Sequence, residues 1–118
     1  MKNEQTGLRR IVSAFGFSMK GLKSCYRSEA AFRQELWLSI VLIPLALILG
    51  ESATDKVLLI TPIFLVLIVE VLNSAIESVV DRIGSEYHVL SGAAKDMGSA
   101  AVWLSLTLLV VTWLIILI

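Results

Sequence analysis

The last 22 residues of the chain, 97–118, contain no charged side chain and are mostly apolar. At 1.5 Å per residue, a helix of that length crosses a hydrocarbon layer of roughly 30 Å. Two further runs are uncharged, 36–50 and 57–69, and each needs residues from its flanks to span. Hydrophobic residues make up 57% of the 118-residue chain, against roughly 45–50% in soluble domains. The sequence therefore predicts an all-α integral membrane protein with a single domain, 1–118.

The predicted spans cover about 29–50, 54–82 and 91–118. An amphipathic helix is predicted before them, over about 7–27, because its apolar residues recur at intervals of three or four. Basic residues flank that apolar stripe, which favours a helix lying in the membrane interface. An ordinary amphipathic helix packed on other protein fits the same pattern, so both interpretations stay open. The unbroken run 29–35 leads into the first span, and Glu29 and Arg33 are spaced to form an ion pair.

The distribution of basic residues orients the chain in the membrane. Seven of the ten Lys and Arg residues lie within the first 35 positions. By the positive-inside rule, the amino terminus and the loop 82–95 are predicted to be cytoplasmic, and the turn 51–56 lies outside. The carboxyl terminus then lies on the far side. A single cysteine, Cys25, excludes an internal disulfide.

Four polar residues follow the apolar run 57–69, and we call them the polar face: Glu70, Asn73, Glu77 and Asp81. On a helix they fall within about 80° of arc, and the row extends about 16 Å along the axis. Ionisable groups at membrane depth cost a few kcal/mol each on insertion scales, so the row must face protein, water or a bound cation. Three carboxylates on one face also repel one another unless a proton or a cation lies between them.

This pattern suits a divalent metal beside a general base. Mg²⁺ prefers oxygen ligands and is commonly held by one or two carboxylates together with substrate phosphates. A carboxylate deeper in the apolar layer could accept a proton from a hydroxyl. Lys95 and Asp96 are predicted to open the third span, where a helix amino terminus and a lysine attract a phosphate. These parts fit phosphoryl transfer.

The residues alone leave other interpretations open. A proton-coupled transporter subunit also carries acids inside the membrane, and a purely structural role for the row is a third interpretation. Lys95 could be a boundary residue whose ammonium group reaches the interface. Asn73 could serve only as a hydrogen-bonding residue between helices. No glycine-rich nucleotide motif of a familiar kind occurs in the chain.

Three blocks of the sequence carry a resemblance: 29–35 (EAAFRQE), 68–88 (IVEVLNSAIESVVDRIGSEYH) and 94–101 (AKDMGSAA). A weaker match extends it to Thr6, Gly7, Arg10, Ile11 and 20–22. With these blocks the chain resembles the bacterial diacylglycerol kinase family, small integral-membrane lipid kinases unrelated to soluble kinases. The resemblance covers essentially the whole chain.

The resemblance implies a multi-pass homotrimer in the bacterial cytoplasmic membrane, with active sites shared between subunits, facing the cytoplasm, and a periplasmic carboxyl terminus. It implies transfer of the γ-phosphoryl group of ATP, with Mg²⁺, to the primary hydroxyl of diacylglycerol, which gives phosphatidic acid. Glu70 then corresponds to the proton acceptor, and Glu29 and Glu77 to the metal ligands. Nucleotide contacts are expected from Arg10, Phe17, Glu29, Asn73, Glu77, Glu86, Tyr87, His88, Lys95 and Asp96. Lipid contacts are expected from Ala31, Phe32, Arg33, Gln34, Glu35, Glu70, Ser99 and Trp113. No nucleic-acid partner is expected.

Three residues depart from the family's pattern without touching the carboxylates. Phe17 stands where a tyrosine is expected, Met19 where a tryptophan is expected, and Ser13 where a lysine is expected. Among the matched residues, Asp81 could instead pair with Arg82 or with Arg10 of a neighbouring subunit. An undecaprenol kinase, which shares the fold and the carboxylates, remains an alternative within the family.

Overall fold

The computed structural model describes residues 6–84 and 86–118. In these ranges the regular structure is entirely helical: α1 (Gly7–Ser28), α2 (Ala30–Leu49), α3 (Ala53–Ile83) and α4 (Val89–Leu117). The last three are long and apolar enough to cross a membrane. The prediction of a helical membrane protein with three spans and a preceding amphipathic helix is therefore confirmed.

The junction between α1 and α2 differs from the unbroken run that the sequence suggested. Glu29 has an extended backbone (φ −118°, ψ 108°), so it separates the two helices instead of beginning the first span. Arg33 Nη1 donates to the carbonyl oxygens of Tyr26 at 2.7 Å and Arg27 at 3.1 Å. These carbonyls end α1 and lack partners within the helix, so Arg33 caps α1 instead of pairing with Glu29.

The turn between α2 and α3 is tight because of Gly50. A Cβ at Gly50 would lie 2.7 Å from Lys56 Cγ and 3.0 Å from the Ala46 carbonyl oxygen, closer than packed side chains allow. Ser52 then caps α3, since its Oγ accepts a 3.1 Å hydrogen bond from the Asp55 amide. The polar turn is therefore short, and α2 and α3 lie side by side.

The start of α4 differs from the predicted position. The helix begins at Val89 and not near position 91, because His88 Nδ1 accepts a 3.0 Å hydrogen bond from the Leu90 amide and caps it. Lys95 therefore lies in the second turn, and the expectation that Lys95 and Asp96 open this helix is wrong. A phosphate near Lys95 would meet its ammonium group and not the free amides of the helix terminus.

The core lies between the three spans. Ile63, Val66 and Leu109 are buried together, and partly buried side chains from α2 and α4 pack around them. Trp113 belongs to this layer, and its Nε1 donates to the Leu59 carbonyl oxygen at 3.0 Å. The outward faces of the spans carry exposed apolar side chains, as lipid-facing surfaces do. The apolar stripe of α1 is likewise exposed, with Leu8 at 76% and Phe15 at 65%.

Candidate active site

A cluster of carboxylates lies where α3 faces the start of α2, and we call Glu29, Glu35, Glu70 and Glu77 the acidic cluster. Glu70 is buried, with 6% of its surface exposed. The charges of Glu35, Glu29 and Glu77 all act on Glu70, so these four side chains share one region. Carboxylates concentrated in an apolar layer need protons, cations or donors among them. These four side chains therefore form a charged site and do not serve apolar packing.

Glu29 reaches the cluster because α1 ends one residue before it. Its Oε1 accepts a 3.0 Å hydrogen bond from Ser74 Oγ on α3. The side chains of Glu29 and Glu77 are in hydrogen-bond contact with each other. Two carboxylates in such contact need a proton or a cation between them. The structure thus brings together the two predicted metal ligands, Glu77 from α3 and Glu29 from the junction between α1 and α2.

Cys25 lies at the edge of the acidic cluster, on the buried side of α1. The residue is only 5% exposed, and its thiol is hydrogen-bonded with Ser74. Burial raises the pKa of the Cys25 thiol above 9.0, the Ser74 hydrogen bond opposes that shift, and the charges of Glu29 and Glu70 add to it. The thiol is therefore neutral near pH 7 and acts as a small buried side chain beside the carboxylates.

Asn73 lies on the polar face between Glu70 and Glu77. Within the described residues its Oδ1 is buried and has no hydrogen-bond partner. It lies against Gly98 of α4, which is itself buried. The structure therefore gives Asn73 no hydrogen bond between helices through Oδ1, the simpler role that the sequence had left open.

A cavity of about 310 Å³ lies beyond the cytoplasmic end predicted for α3, and we call it the loop cavity. It is lined by Val80, Asp81, Gly84, Glu86, Tyr87, His88, Ser91, Gly92 and Lys95. Four of the predicted nucleotide contacts, Glu86, Tyr87, His88 and Lys95, are thus brought together. Of these, His88 has a structural task as well, because its Nδ1 caps α4.

Lys95 connects the loop cavity with the acidic cluster. Its Nζ lies 2.7 Å from Asp81 Oδ1, and both side chains are substantially exposed. Its charge also acts on Glu77. Asp81 therefore pairs with Lys95 of its own chain, where the sequence had suggested Arg82 or Arg10 of a neighbour.

Three predicted nucleotide contacts lie outside the loop cavity, the acidic cluster and the polar face. Asp96 is exposed on α4 next to Lys95 but does not line the cavity. Arg10 and Phe17 are exposed on α1. Lys20 Nζ lies 5.9 Å from the centre of the Phe17 ring, which gives that ring a cation as its neighbour. A single chain thus joins only part of the predicted nucleotide site.

The predicted lipid contacts are also divided. Of the segment 31–35, Phe32 is buried at 2% exposure, Arg33 caps α1, and Glu35 belongs to the acidic cluster; Ala31 and Gln34 are exposed. Ser99 is exposed on α4, and Trp113 lies 14 residues further on, about 21 Å along the helix. One end of a lipid therefore cannot contact both Ser99 and Trp113.

Several residues of the site were not predicted from the sequence. Ser74 and Cys25 contact the carboxylates, while Ser91 and Gly92 line the loop cavity. Ser74 falls one turn after Glu70, so helical spacing could have found it. Helical spacing could not have found Cys25, because its position beside α3 depends on the break between α1 and α2 at Glu29.

Among the described residues, no group of three or more His, Cys, Asp or Glu side chains is arranged to hold a metal ion. The pair Glu29 and Glu77 supplies fewer ligands than a cage made of protein alone. Mg²⁺, however, is usually held by one or two carboxylates, with waters and substrate phosphates completing its shell. The carboxyl–carboxyl contact of this pair, which needs a cation or proton, fits that kind of ion.

The fold and the site define a small helical membrane protein with an acidic cluster and a loop cavity at one end of its bundle. Residues 16–117 match the model of the family described as prokaryotic diacylglycerol kinase. The chain is 55% identical to a diacylglycerol kinase of Escherichia coli strain K12 over 117 residues, which is 99% of this chain and 96% of that one. The chain belongs to the prokaryotic diacylglycerol kinase family.

Two further relatives carry the same name. A diacylglycerol kinase of Pseudomonas aeruginosa is 53% identical over 113 residues, covering 96% of this chain and 92% of its own. One of Haemophilus influenzae is 47% identical over 108 residues, covering 92% of each. The resemblance carried by the polar blocks is thereby confirmed, and the chain is an enzyme of this lipid kinase family.

Proposed function

We propose that this protein transfers the γ-phosphoryl group of ATP to the primary hydroxyl of diacylglycerol, at the cytoplasmic face of the inner membrane. The observation that carries the proposal is the buried Glu70, which shares a helix face with Glu77. Glu29 reaches that face from the junction between α1 and α2. The name diacylglycerol kinase, borne by the relatives, supports the choice of lipid substrate.

Glu70 is the proposed proton acceptor. It is the most deeply placed carboxylate of the polar face, so a hydroxyl arriving from the lipid meets it first. Its carboxylate is buried, with 6% of the residue exposed, so bulk water does not compete with the lipid hydroxyl for it. The hydroxyl oxygen then attacks the γ-phosphorus atom of ATP as its proton passes to a Glu70 carboxylate oxygen. The bond between that phosphorus and the oxygen bridging to the β-phosphate breaks, and ADP leaves.

Glu29 and Glu77 are the proposed holders of the metal. When bound, Mg²⁺ neutralises the charge of the nucleotide phosphates and helps to orient them. Ser74 holds the Glu29 carboxylate beside Glu77 through its 3.0 Å hydrogen bond, so the ligand pair is oriented before the nucleotide arrives. Orienting such groups in advance is the main way in which proteins assist phosphoryl transfer.

The loop cavity is the proposed site of the nucleotide. Lys95 lines this cavity and its charge also acts on Glu77, so its ammonium group can bind a phosphate placed between the cavity and the acidic cluster. Glu86, Tyr87 and His88 line the remainder and contact the nucleoside part. The Lys95–Asp81 pair is exposed, and an incoming phosphate can therefore compete with Asp81 for the lysine.

We infer that the complete site is assembled in a homotrimer. Arg10 and Phe17 are exposed on α1 and lie outside the loop cavity, although both are proposed nucleotide contacts. A neighbouring subunit is the simplest supplier of such contacts. The basic α1, the loop cavity and the amino terminus then face the cytoplasm, and the carboxyl terminus lies in the periplasm.

The proposal is tested by giving the purified protein ATP labelled in the γ-phosphate together with diacylglycerol or undecaprenol in mixed micelles. Labelled phosphatidic acid, formed only with Mg²⁺ present, is the expected result. Label transferred to undecaprenol but not to diacylglycerol would assign the chain to the polyprenol kinases. Proton flux in liposomes without ATP, in the absence of any labelled lipid, would indicate the transporter alternative.

A further inference from the structure

Gly98 is buried where α4 meets the polar face of α3. A Cβ at this position would overlap Asn73 Oδ1, and it would lie 3.1 Å from Asn73 Cγ. By contrast, a Cβ at Gly16 or Gly21 of α1 would meet nothing within 4 Å. Real side chains do not approach so closely, so Asn73 can hold its present position only while residue 98 is glycine.

The position of the Asn73 carboxamide oxygen depends on its steric contact with α4 and not on a hydrogen bond. Its buried Oδ1 has no hydrogen-bond partner among the described residues, so no such bond fixes that end of the carboxamide. A side chain positioned by steric contact moves when the neighbouring residue becomes larger. Asn73 stands between Glu70 and Glu77, hence such a movement is felt at the centre of the polar face.

We propose that Gly98 is a positioning residue, which keeps the Asn73 carboxamide in the polar face by leaving room for it against α4. Gly98 acts through Asn73 and need not touch either substrate. The inference rests on the proposed function, because Asn73 matters there as a contact of the nucleotide. It adds to that function a residue for which no role was predicted from the sequence.

An alanine at position 98 separates positioning from helix formation. Alanine favours a helix interior over glycine, so on propensity alone Gly98→Ala would strengthen α4. The added methyl group nevertheless displaces the carboxamide. Any loss of function then comes from the contact with Asn73 and not from a weakened helix.

The experiment compares wild type, Gly98→Ala and the control Gly21→Ala in steady-state phosphorylation of diacylglycerol. For Gly98→Ala we expect kcat/KM for MgATP to fall by about 100-fold, since misplacement by about 1 Å has that effect, while KM for diacylglycerol stays near wild type. Gly21→Ala should match wild type in both. Wild-type kinetics for Gly98→Ala with MgATP would overturn the inference.

A double-mutant cycle with Asn73→Ala excludes a general packing effect. Gly98→Ala should cost nothing further in the Asn73→Ala background, in kinetics or in thermal unfolding, because no carboxamide remains to be displaced. Additive losses would overturn the inference. If Gly98→Ala alone fails to fold, the double variant should fold, and its failure would count against the proposal. Wild-type protein that makes no phosphatidic acid would instead refute the proposed function, while the unfolding cycle still tests the Gly98–Asn73 coupling.

Discussion

Ser74 Oγ donates a 3.0 Å hydrogen bond to Glu29 Oε1, and this bond joins the polar face of α3 to the residue between α1 and α2. The two residues are 45 positions apart in sequence. Their contact holds the Glu29 carboxylate next to that of Glu77. The ligand pair for a divalent cation thus depends on how α1 meets α2 as well as on α3.

Neutralising either carboxylate of this pair should raise the requirement for Mg²⁺. We expect Glu29→Gln and Glu77→Gln to shift the Mg²⁺ midpoint for activity upward by at least about tenfold, since even supporting residues of metal sites cost 10- to 100-fold when removed. The measurement is activity as a function of free Mg²⁺ at saturating ATP. Glu51→Gln is the control, because Glu51 is an exposed carboxylate in the turn between α2 and α3. An unchanged midpoint for Glu77→Gln would contradict its metal role.

Removing the charge of Lys95 should weaken nucleotide binding. Lys95→Gln is expected to raise KM for MgATP by about 10- to 100-fold, the range for a lost hydrogen bond from a charged donor. Asp81→Asn should not raise it, because it frees Lys95 from its 2.7 Å partner. Initial rates over a range of MgATP concentrations distinguish the two variants. Equal losses in both would mean that the ion pair itself, and not the free lysine, is required.

Arg33 is expected to stabilise the corner between α1 and α2. Arg33→Gln removes the guanidinium group that donates to the Tyr26 and Arg27 carbonyl oxygens, and each such bond contributes about 1.5–3 kcal/mol. A clear decrease in the thermal unfolding midpoint should result, with a higher Mg²⁺ requirement because Glu29 follows the corner. Arg27→Gln is the matched control, since it removes a nearby charge and keeps the carbonyl acceptor. If Arg33→Gln changed only KM for diacylglycerol, Arg33 would be a lipid contact and not a cap.

The Cys25 thiol should resist alkylation in the folded protein. Burial raises its pKa above 9.0, so the reactive thiolate is scarce near pH 7 and forms only at higher pH. As pH rises above that value, the thiol of the unfolded chain loses its proton before the thiol of the folded chain does. Ionisation therefore stabilises the unfolded state, and the free energy of unfolding decreases with rising pH in this range. Because Cys25 is the only cysteine, the rate of maleimide labelling against pH reports on it directly. Rapid labelling of folded protein at pH 7 would contradict this account.

The sequence predicted the helical spans and the polar face because both are local patterns. Uncharged runs reveal spans, and helical spacing places Glu70, Asn73 and Glu77 on one side of α3. The N-terminal boundary of α4 was less accessible, since His88 acts as a cap there through its side chain. Its position moved Lys95 from the helix terminus into the second turn.

Contacts that depend on how the helices pack against one another could not be predicted from the sequence. Arg33 was spaced for an ion pair with Glu29, but the break at Glu29 turns it to the open carbonyls of α1. Only the structure identifies Gly98 as the position where Asn73 leaves no room for a side chain.

Glu70 is the residue that we propose as acceptor of the lipid hydroxyl proton. The most direct test of this role is the rate of phosphatidic acid formation by folded Glu70→Gln protein, measured with labelled ATP in mixed micelles beside its nucleotide affinity. We expect the rate to fall by about 10²- to 10⁴-fold, the contribution of a general base, while MgATP binding by Glu70→Gln and the activity of the control Glu51→Gln stay unchanged. Phosphatidic acid formation by Glu70→Gln at the wild-type rate would contradict it.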